Sequence, residues 1–387
     1  YGGLALQIGA LVALAQLETL LARPLFHRRP GGRLVPNSYG RGWLTKAEAA
    51  LAQESGSLAE RAAALHAAGD LAQEQGDYEQ AAPLLTAGRG AAQQAGEPGI
   101  AARCLSGLAF IARNQGHYEA AEEYLREALA LQRTAKDRRA IACTLGNLGS
   151  IAQNRGDEAA AEELLAEALA SFRALGDRPM AADILANLAI LANQTGVHAR
   201  AARFAEEALG TYRTHGDRQG AATALVALAN AARGEGNRLE ARTLYEEALD
   251  LFRDVDHQPG VVSALTHLAT LALDAGDTQR ALLHLADCLR ILQQTGDWRA
   301  AATALEASAR ALAILEYWAQ AGCLTSAATA LRTINDAPSP ADDAAQQLAA
   351  AATAAIGEAA WASALARGRA LPPNEAVIAA LGMLTDA

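Results

Sequence analysis

The sequence predicts an all-α protein, a solenoid of two-helix units repeating every 40 residues. Three observations carry this. Alanine makes up 99 of 387 residues, and the chain is 51% hydrophobic but only 4% aromatic. That composition is rich in the best helix former and poor in strand formers. Leucine recurs at Leu65, Leu105, Leu145, Leu185, Leu225, Leu265 and Leu305, and alanine at Ala81, Ala121, Ala161, Ala201, Ala241, Ala281 and Ala321. Gly76, Gly116, Gly156, Gly196, Gly236 and Gly276 keep the same interval without an insertion. A shared period in three columns marks a repeat array rather than the two or three domains that length alone suggests.

Residues 1–54 are expected to form a degenerate N-terminal repeat and cap. Its first helix, 3–22, is apolar but interrupted by Gln7, Gln16 and Glu18 and lacks a charged N-flank, so it reads as a buried helix rather than a membrane span or signal peptide. The proline-bearing stretch 23–37 reads as a long loop, and a second helix runs from about Ser38 to Gln53. A start at Tyr1 without methionine reads as a piece of a longer chain.

Seven repeats are expected over 55–334. In one of them Leu105, Leu108, Ala109 and Ala112 form the apolar face of the first helix, and Ala121, Leu125, Ala128 and Leu129 that of the second. Between them a glycine suits the left-handed residue that ends a helix, and the Asp or Asn that follows caps the next, as in Gly156-Asp157 and Gly236-Asn237. A second turn follows half a period later, as in Gly176-Asp177-Arg178 and Gly216-Asp217-Arg218, with Lys136-Asp137-Arg138 as a variant. The alanine column fits a crossing where two helices approach closely. The seventh repeat has Glu316 in place of the turn glycine. Residues 335–387 are expected to form a helical C-terminal cap, with a breaker from Asn335 to Pro340 and helices at 342–355 and 374–384.

Leu108-Ala109, Gly116, Tyr118, Ala121, Leu125 and Ala128 stand at the relative spacings of the tetratricopeptide repeat (TPR), which the chain resembles. It departs from that family in its longer period and in Arg133, Arg173, Arg213 and Arg253, which occupy the place of the usual terminal proline. The resemblance implies a right-handed superhelical α-solenoid whose first helices line a concave wall. The longer period is similar to that of kinesin light chains and large bacterial regulators. Gly357-Glu358-Ala359-Ala360-Trp361, the stretch Ala366-Arg367-Gly368-Arg369-Ala370-Leu371 and Asn374-Glu375-Ala376-Val377 resemble the C-terminal tail of bacterial signal-transduction ATPases with numerous domains, the maltose-regulator-like STAND class. That resemblance implies the sensor end of a cytoplasmic regulator of transcription, with an ATPase module upstream.

The chemistry readable in the chain is that of binding. A net charge of −10 argues against direct contact with nucleic acid, and the basic stretch from His27 to Arg33 reads as a solvated loop. Cys104, Cys143, Cys288 and Cys323 lack CxxC spacing and read as buried thiols in a reducing compartment. No P-loop or H-E-x-x-H motif occurs. Ser150 is mid-helix, unlike a nucleophile elbow. Acidic pairs such as Glu162-Glu163 and Glu246-Glu247 recur on second helices as a solvated face. No enzyme, metal or cofactor is expected.

The candidate binding residues are first-helix positions that vary between repeats while the packing columns stay fixed. They are Arg103, Phe110, Arg113 and Asn114; then Asn147, Ser150, Gln153 and Asn154; then Asp183, Asn187, Ile190, Asn193 and Gln194. Asn230 and Arg233 follow, then Thr266, His267, Thr270 and Asp274. Such positions line either a binding wall or one that touches only water. The density of amides, which both donate and accept hydrogen bonds, favours a wall for a peptide, a protein or a polar small-molecule inducer. Asn147 and Asn187 are similar to an asparagine that holds extended peptide in other members of the family. Two readings follow: a sensor whose ligand relieves autoinhibition of an ATPase, or a constitutive peptide-binding scaffold.

Overall fold

The computed structural model describes residues 26–28, 34–36, 57–74, 76–296, 298–334 and 342–385. The expected N-terminal helices, 3–22 and 38–53, lie outside the described residues. Within 23–37, read from sequence as a loop, β1 (Phe26–Arg28) and β2 (Leu34–Pro36) pair antiparallel with His27 opposite Val35.

Two compact units divide the chain, Tyr1–Asp177 and Arg178–Ala387. The first holds the helices α1 (Leu58–Glu74), α2 (Tyr78–Ala95), α3 (Pro98–Asn114), α4 (Tyr118–Ala135), α5 (Arg138–Asn154) and α6 (Glu158–Leu175). The second continues with α7 (Arg178–Gln194), α8 (His198–His215), α9 (Arg218–Gly234), α10 (Arg238–Asp254), α11 (Gln258–Asp274), α12 (Thr278–Thr295), α13 (Trp298–Ile314) and α14 (Trp318–Ile334). It ends with α15 (Asp342–Ile356), α16 (Glu358–Ala370) and α17 (Pro373–Thr385). From α1 to α14 consecutive helices form seven antiparallel pairs, an α-solenoid of 40-residue repeats. Sequence reading found two of the three closing helices and missed α16, whose short face around Trp361 carries little periodic signal.

The repeat columns are the core. All seven alanines of the Ala81 column have 0% exposure, and every leucine of the Leu65 column is buried. Ala161 sits where α6 meets α5, and nearby a Cβ added at Gly149 would lie 2.7 Å from Leu165 Cγ. With no room for a larger side chain at such a crossing, Ala161→Phe is expected to cost about 1–3 kcal/mol by overpacking. Chemical denaturation checks this; an unchanged midpoint would mean that the contact is misplaced.

Turn glycines adopt the left-handed conformation as expected, with φ of 73° at Gly76 and 78° at Gly156. Lys136 (56°), Asp256 (52°) and Glu316 (64°) hold the same conformation without glycine, so the turn geometry is set by the flanking helices even where the residue disfavours it. Asp77, Asp137, Asp157, Asp217 and Asp277 each accept a backbone N–H in the first turn of the next helix. Asn237 departs from the expected cap, since its side chain makes no capping bond. Cys104, Cys288 and Cys323 are buried; Cys143 is only half-buried, because it stands on the more open first-helix face that also carries Arg103 and Asp183. Among the described residues no helix is long and apolar enough to cross a membrane.

Candidate functional site

First helices of successive repeats pack directly on one another: α1 on α3 in the first unit, and α7 on α9, α9 on α11 and α11 on α13 in the second. Second helices are instead spanned by long side chains, as in Arg89–Glu127 at 2.8 Å and Arg213–Glu247 at 2.6 Å. Within these pairs the first helices are thus the more closely stacked set. That is the wall where the candidate residues were placed.

In the first unit, Arg103 is exposed on α3 and faces His66 and Asp70 of α1, which approach to 3.3 Å. Burial, aided by the Arg103 charge, lowers the His66 pKa to about 4. Phe110 remains 36% exposed, edge-on to Tyr78 at 6.4 Å, with the Arg113 guanidinium 5.2 Å from its ring centre. Asn114 Nδ2 donates to the Tyr78 hydroxyl at 3.4 Å. On α5, Asn147 and Asn154 are exposed and Gln153 is half-buried, while the Ser150 hydroxyl bonds back to the Gly146 carbonyl at 3.0 Å.

In the second unit, Asp183 accepts the Tyr212 hydroxyl at 2.7 Å. Burial is the first cause that raises the Tyr212 pKa, and this bond adds to it. Asn187 is half-buried and Gln194 exposed. Asn193 donates to the Ala227 carbonyl on α9 at 2.7 Å, so one amide of the wall ties adjacent first helices together. Thr266, placed on the wall from sequence, is buried and bonds the Val262 carbonyl at 2.8 Å. It faces the repeat interior because its position leans towards the second helix.

The densest cluster spans α9 to α13. The Tyr245 hydroxyl donates to Asn230 Oδ1 at 2.6 Å, and its ring stacks on His267 at 5.1 Å and 6°. The Arg233 charge acts on the same Tyr245 hydroxyl. Asp274 lies between Arg310 at 3.0 Å and Arg233 at 3.8 Å. Burial pushes the Tyr245 pKa up to about 12 against the pull of Arg233. Sequence reading named Asn230, Arg233, His267 and Asp274 but missed Tyr245 and Arg310. A signal existed: Tyr245 stands in the column of Leu85, Leu125, Leu165 and Leu285, and a polar aromatic in a packing column needs a buried partner.

Burial, then the Arg233 charge, lowers the His267 pKa from 6.5 to about 4. Between those values the unfolded chain binds a proton that the folded chain refuses. Stability is therefore expected to fall as the pH drops from 6.5 towards 4, by at most about 1.4 kcal/mol per pH unit for this group. His66, also lowered, acts in the same direction. Urea titrations of His267→Phe, which keeps an aromatic ring but cannot titrate, should show a shallower acid slope; an unchanged slope would clear His267 of the effect.

Among the described residues no group of three or more His, Cys, Asp or Glu is placed to hold a metal ion. No curated protein matches the chain. Among solved structures, a Rap protein complexed with competence and sporulation factor aligns with a TM-score of 0.65 at 11% identity, over 100% of this chain and 99% of that one. The apo quorum sensor NprR from B. thuringiensis aligns at 0.64 and 13%, over 85% and 87%. A STAND protein with a tetratricopeptide repeat sensor from Pyrococcus horikoshii aligns at 0.52 and 17%, over 64% of this chain and 39% of that protein. These likenesses establish the fold. The Tetratricopeptide repeat family model matches residues 60–134, 140–214 and 220–294. With more than half of its length in those three matches, the chain belongs to the tetratricopeptide repeat family.

Proposed function

We propose that the chain is a sensor that binds an extended peptide or protein segment along its first-helix wall and thereby relieves autoinhibition of an ATPase module in a STAND-type regulator. The observation that carries the binding reading is the array of Asn230, Arg233, His267, Asp274 and Arg310 on three successive first helices. Amide, guanidinium and carboxylate groups at repeat intervals suit a peptide backbone and its charged side chains. Arg310 is about half exposed, so it has donors to spare for a ligand. The solved Rap complex with competence and sporulation factor, and the STAND protein with a repeat sensor, support the choice of ligand class and of parent protein. A binding role without catalysis belongs to the same reading. A switch requires the ligand to bind two states of the parent differently.

A displayed random-peptide library selected against the chain tests the binding. A selected peptide should lose at least about tenfold in affinity to Arg310→Ala and to the Asn147→Ala, Asn187→Ala double variant, with helicity unchanged. Equal binding to all three proteins overturns the wall. The reading frame upstream of Tyr1 tests the parent: a nucleotide-binding module supports the sensor, and an unrelated domain favours a constitutive scaffold.

A further inference from the structure

On the second-helix side of the first unit, a cleft opens between α4 and α6. Its volume is about 380 Å³, its apolar lining includes Leu129, Leu145, Leu148 and Leu164, and its rim carries Arg133 on α4 and Glu167 on α6. Leu129, Leu145 and Leu148 are buried beneath it, whereas both rim residues are exposed. The other rim charges are engaged: Glu122 pairs with Arg126 at 2.6 Å and with Arg155 at 2.5 Å.

Two repeats on, the equivalent crevice between α8 and α10 is shut. There Arg213 and Glu247, 80 residues from Arg133 and Glu167, close on each other at 2.6 Å. Between α2 and α4, Glu127 is held at 2.8 Å by Arg89, whose place in the repeat is taken by Leu129 at the open cleft. Among the described residues neither Arg133 nor Glu167 has an ion-pair partner. The open crevice thus sets a cation and an anion on opposite walls above an apolar floor.

We propose that this cleft binds a free apolar α-amino acid. Its carboxylate meets the Arg133 guanidinium, its ammonium meets the Glu167 carboxylate, and its side chain lies on the leucine floor. The match is in charge and in size, since the volume falls in the range of small-ligand sites and exceeds that of one leucine. Joining α4 to α6 through the ligand supplies the inter-repeat link that Arg213–Glu247 makes directly. The site is independent of the first-helix wall and stands or falls without it.

Calorimetric titration of the chain with L-leucine and L-phenylalanine tests this. At least one should bind with a Kd at or below about 1 mM and raise the Tm. Leucinamide, which lacks the carboxylate, and N-acetyl-leucine, which lacks the ammonium, should each bind at least about tenfold more weakly. Arg133→Gln and Glu167→Gln should each produce the same loss, with an unchanged circular dichroism spectrum because both side chains are exposed; Arg213→Gln should leave binding intact. No binding of either amino acid at about 10 mM, or equal binding by the analogues or the rim variants, overturns the proposal.

Discussion

Tyr245→Ala is expected to cost about 3–5 kcal/mol, the range for truncating a fully buried aromatic. Tyr245 has 0% exposure, and its ring lies flat against His267 at 5.1 Å. Removing it empties a site between α10 and α11 that the backbone of a repeat array cannot fully close. Tyr245→Phe separates the ring from its hydroxyl. The ring stays, Asn230 Oδ1 loses its donor at 2.6 Å, and the cost should be about 1–2 kcal/mol. Equilibrium denaturation of both variants checks the pair. Equal losses would mean that the hydroxyl, not the packed ring, holds this part of the array.

Gly368→Ala is expected to undock α16 from α14. A Cβ there would be forced into the Cys323 carbonyl oxygen, and would lie 2.7 Å from the carbonyl carbon and 3.0 Å from Cα. Those obstacles belong to the backbone of α14, so no side-chain rotation relieves them. Gly322 is the matching gap on α14, filled by the Trp361 ring of α16. The cost should reach the upper end of overpacking, about 3 kcal/mol. Amide exchange across α16 and α17 should rise sharply while the helices before α12 keep their protection. Unchanged exchange in α16 would contradict this helix crossing. A neighbouring control, Arg369→Ala, alters an exposed position and should leave protection as it is.

The array was legible because its determinants are periodic and local. Ala161 and Leu145 each occur in columns of seven, so the contact each makes is written seven times over. Gly156-Asp157 marks both a helix end and the next helix start through the conformations of those two residues alone. The short strands Phe26–Arg28 and Leu34–Pro36 were not legible, since one three-residue pairing has no repeat to reinforce it. The same holds for α16, which depends on Gly322 and Gly368 meeting a tryptophan and a carbonyl group.

The candidate wall was legible only in outline. Sequence reading treats Asn193 and Asn230 alike, yet the Asn193 Nδ2 is spent on the Ala227 carbonyl, whereas the Tyr245 hydroxyl takes only the Asn230 Oδ1 and leaves its Nδ2 for a ligand. Arg310 escaped notice because its meaning lies in Asp274, 36 residues away.

By itself, then, the sequence determined the all-α class, the 40-residue period, the seven helix pairs and the small-residue crossings. Only the tertiary structure decided which polar side chains of the first-helix wall are spent on neighbouring helices, and that the Arg133–Glu167 crevice stands open while Arg213–Glu247 is shut. The reason is physical: helix propensity, capping and packing period act within about one turn or one repeat. A hydrogen bond or ion pair between helices forms only within about 3–4 Å, a separation set by how the repeats stack.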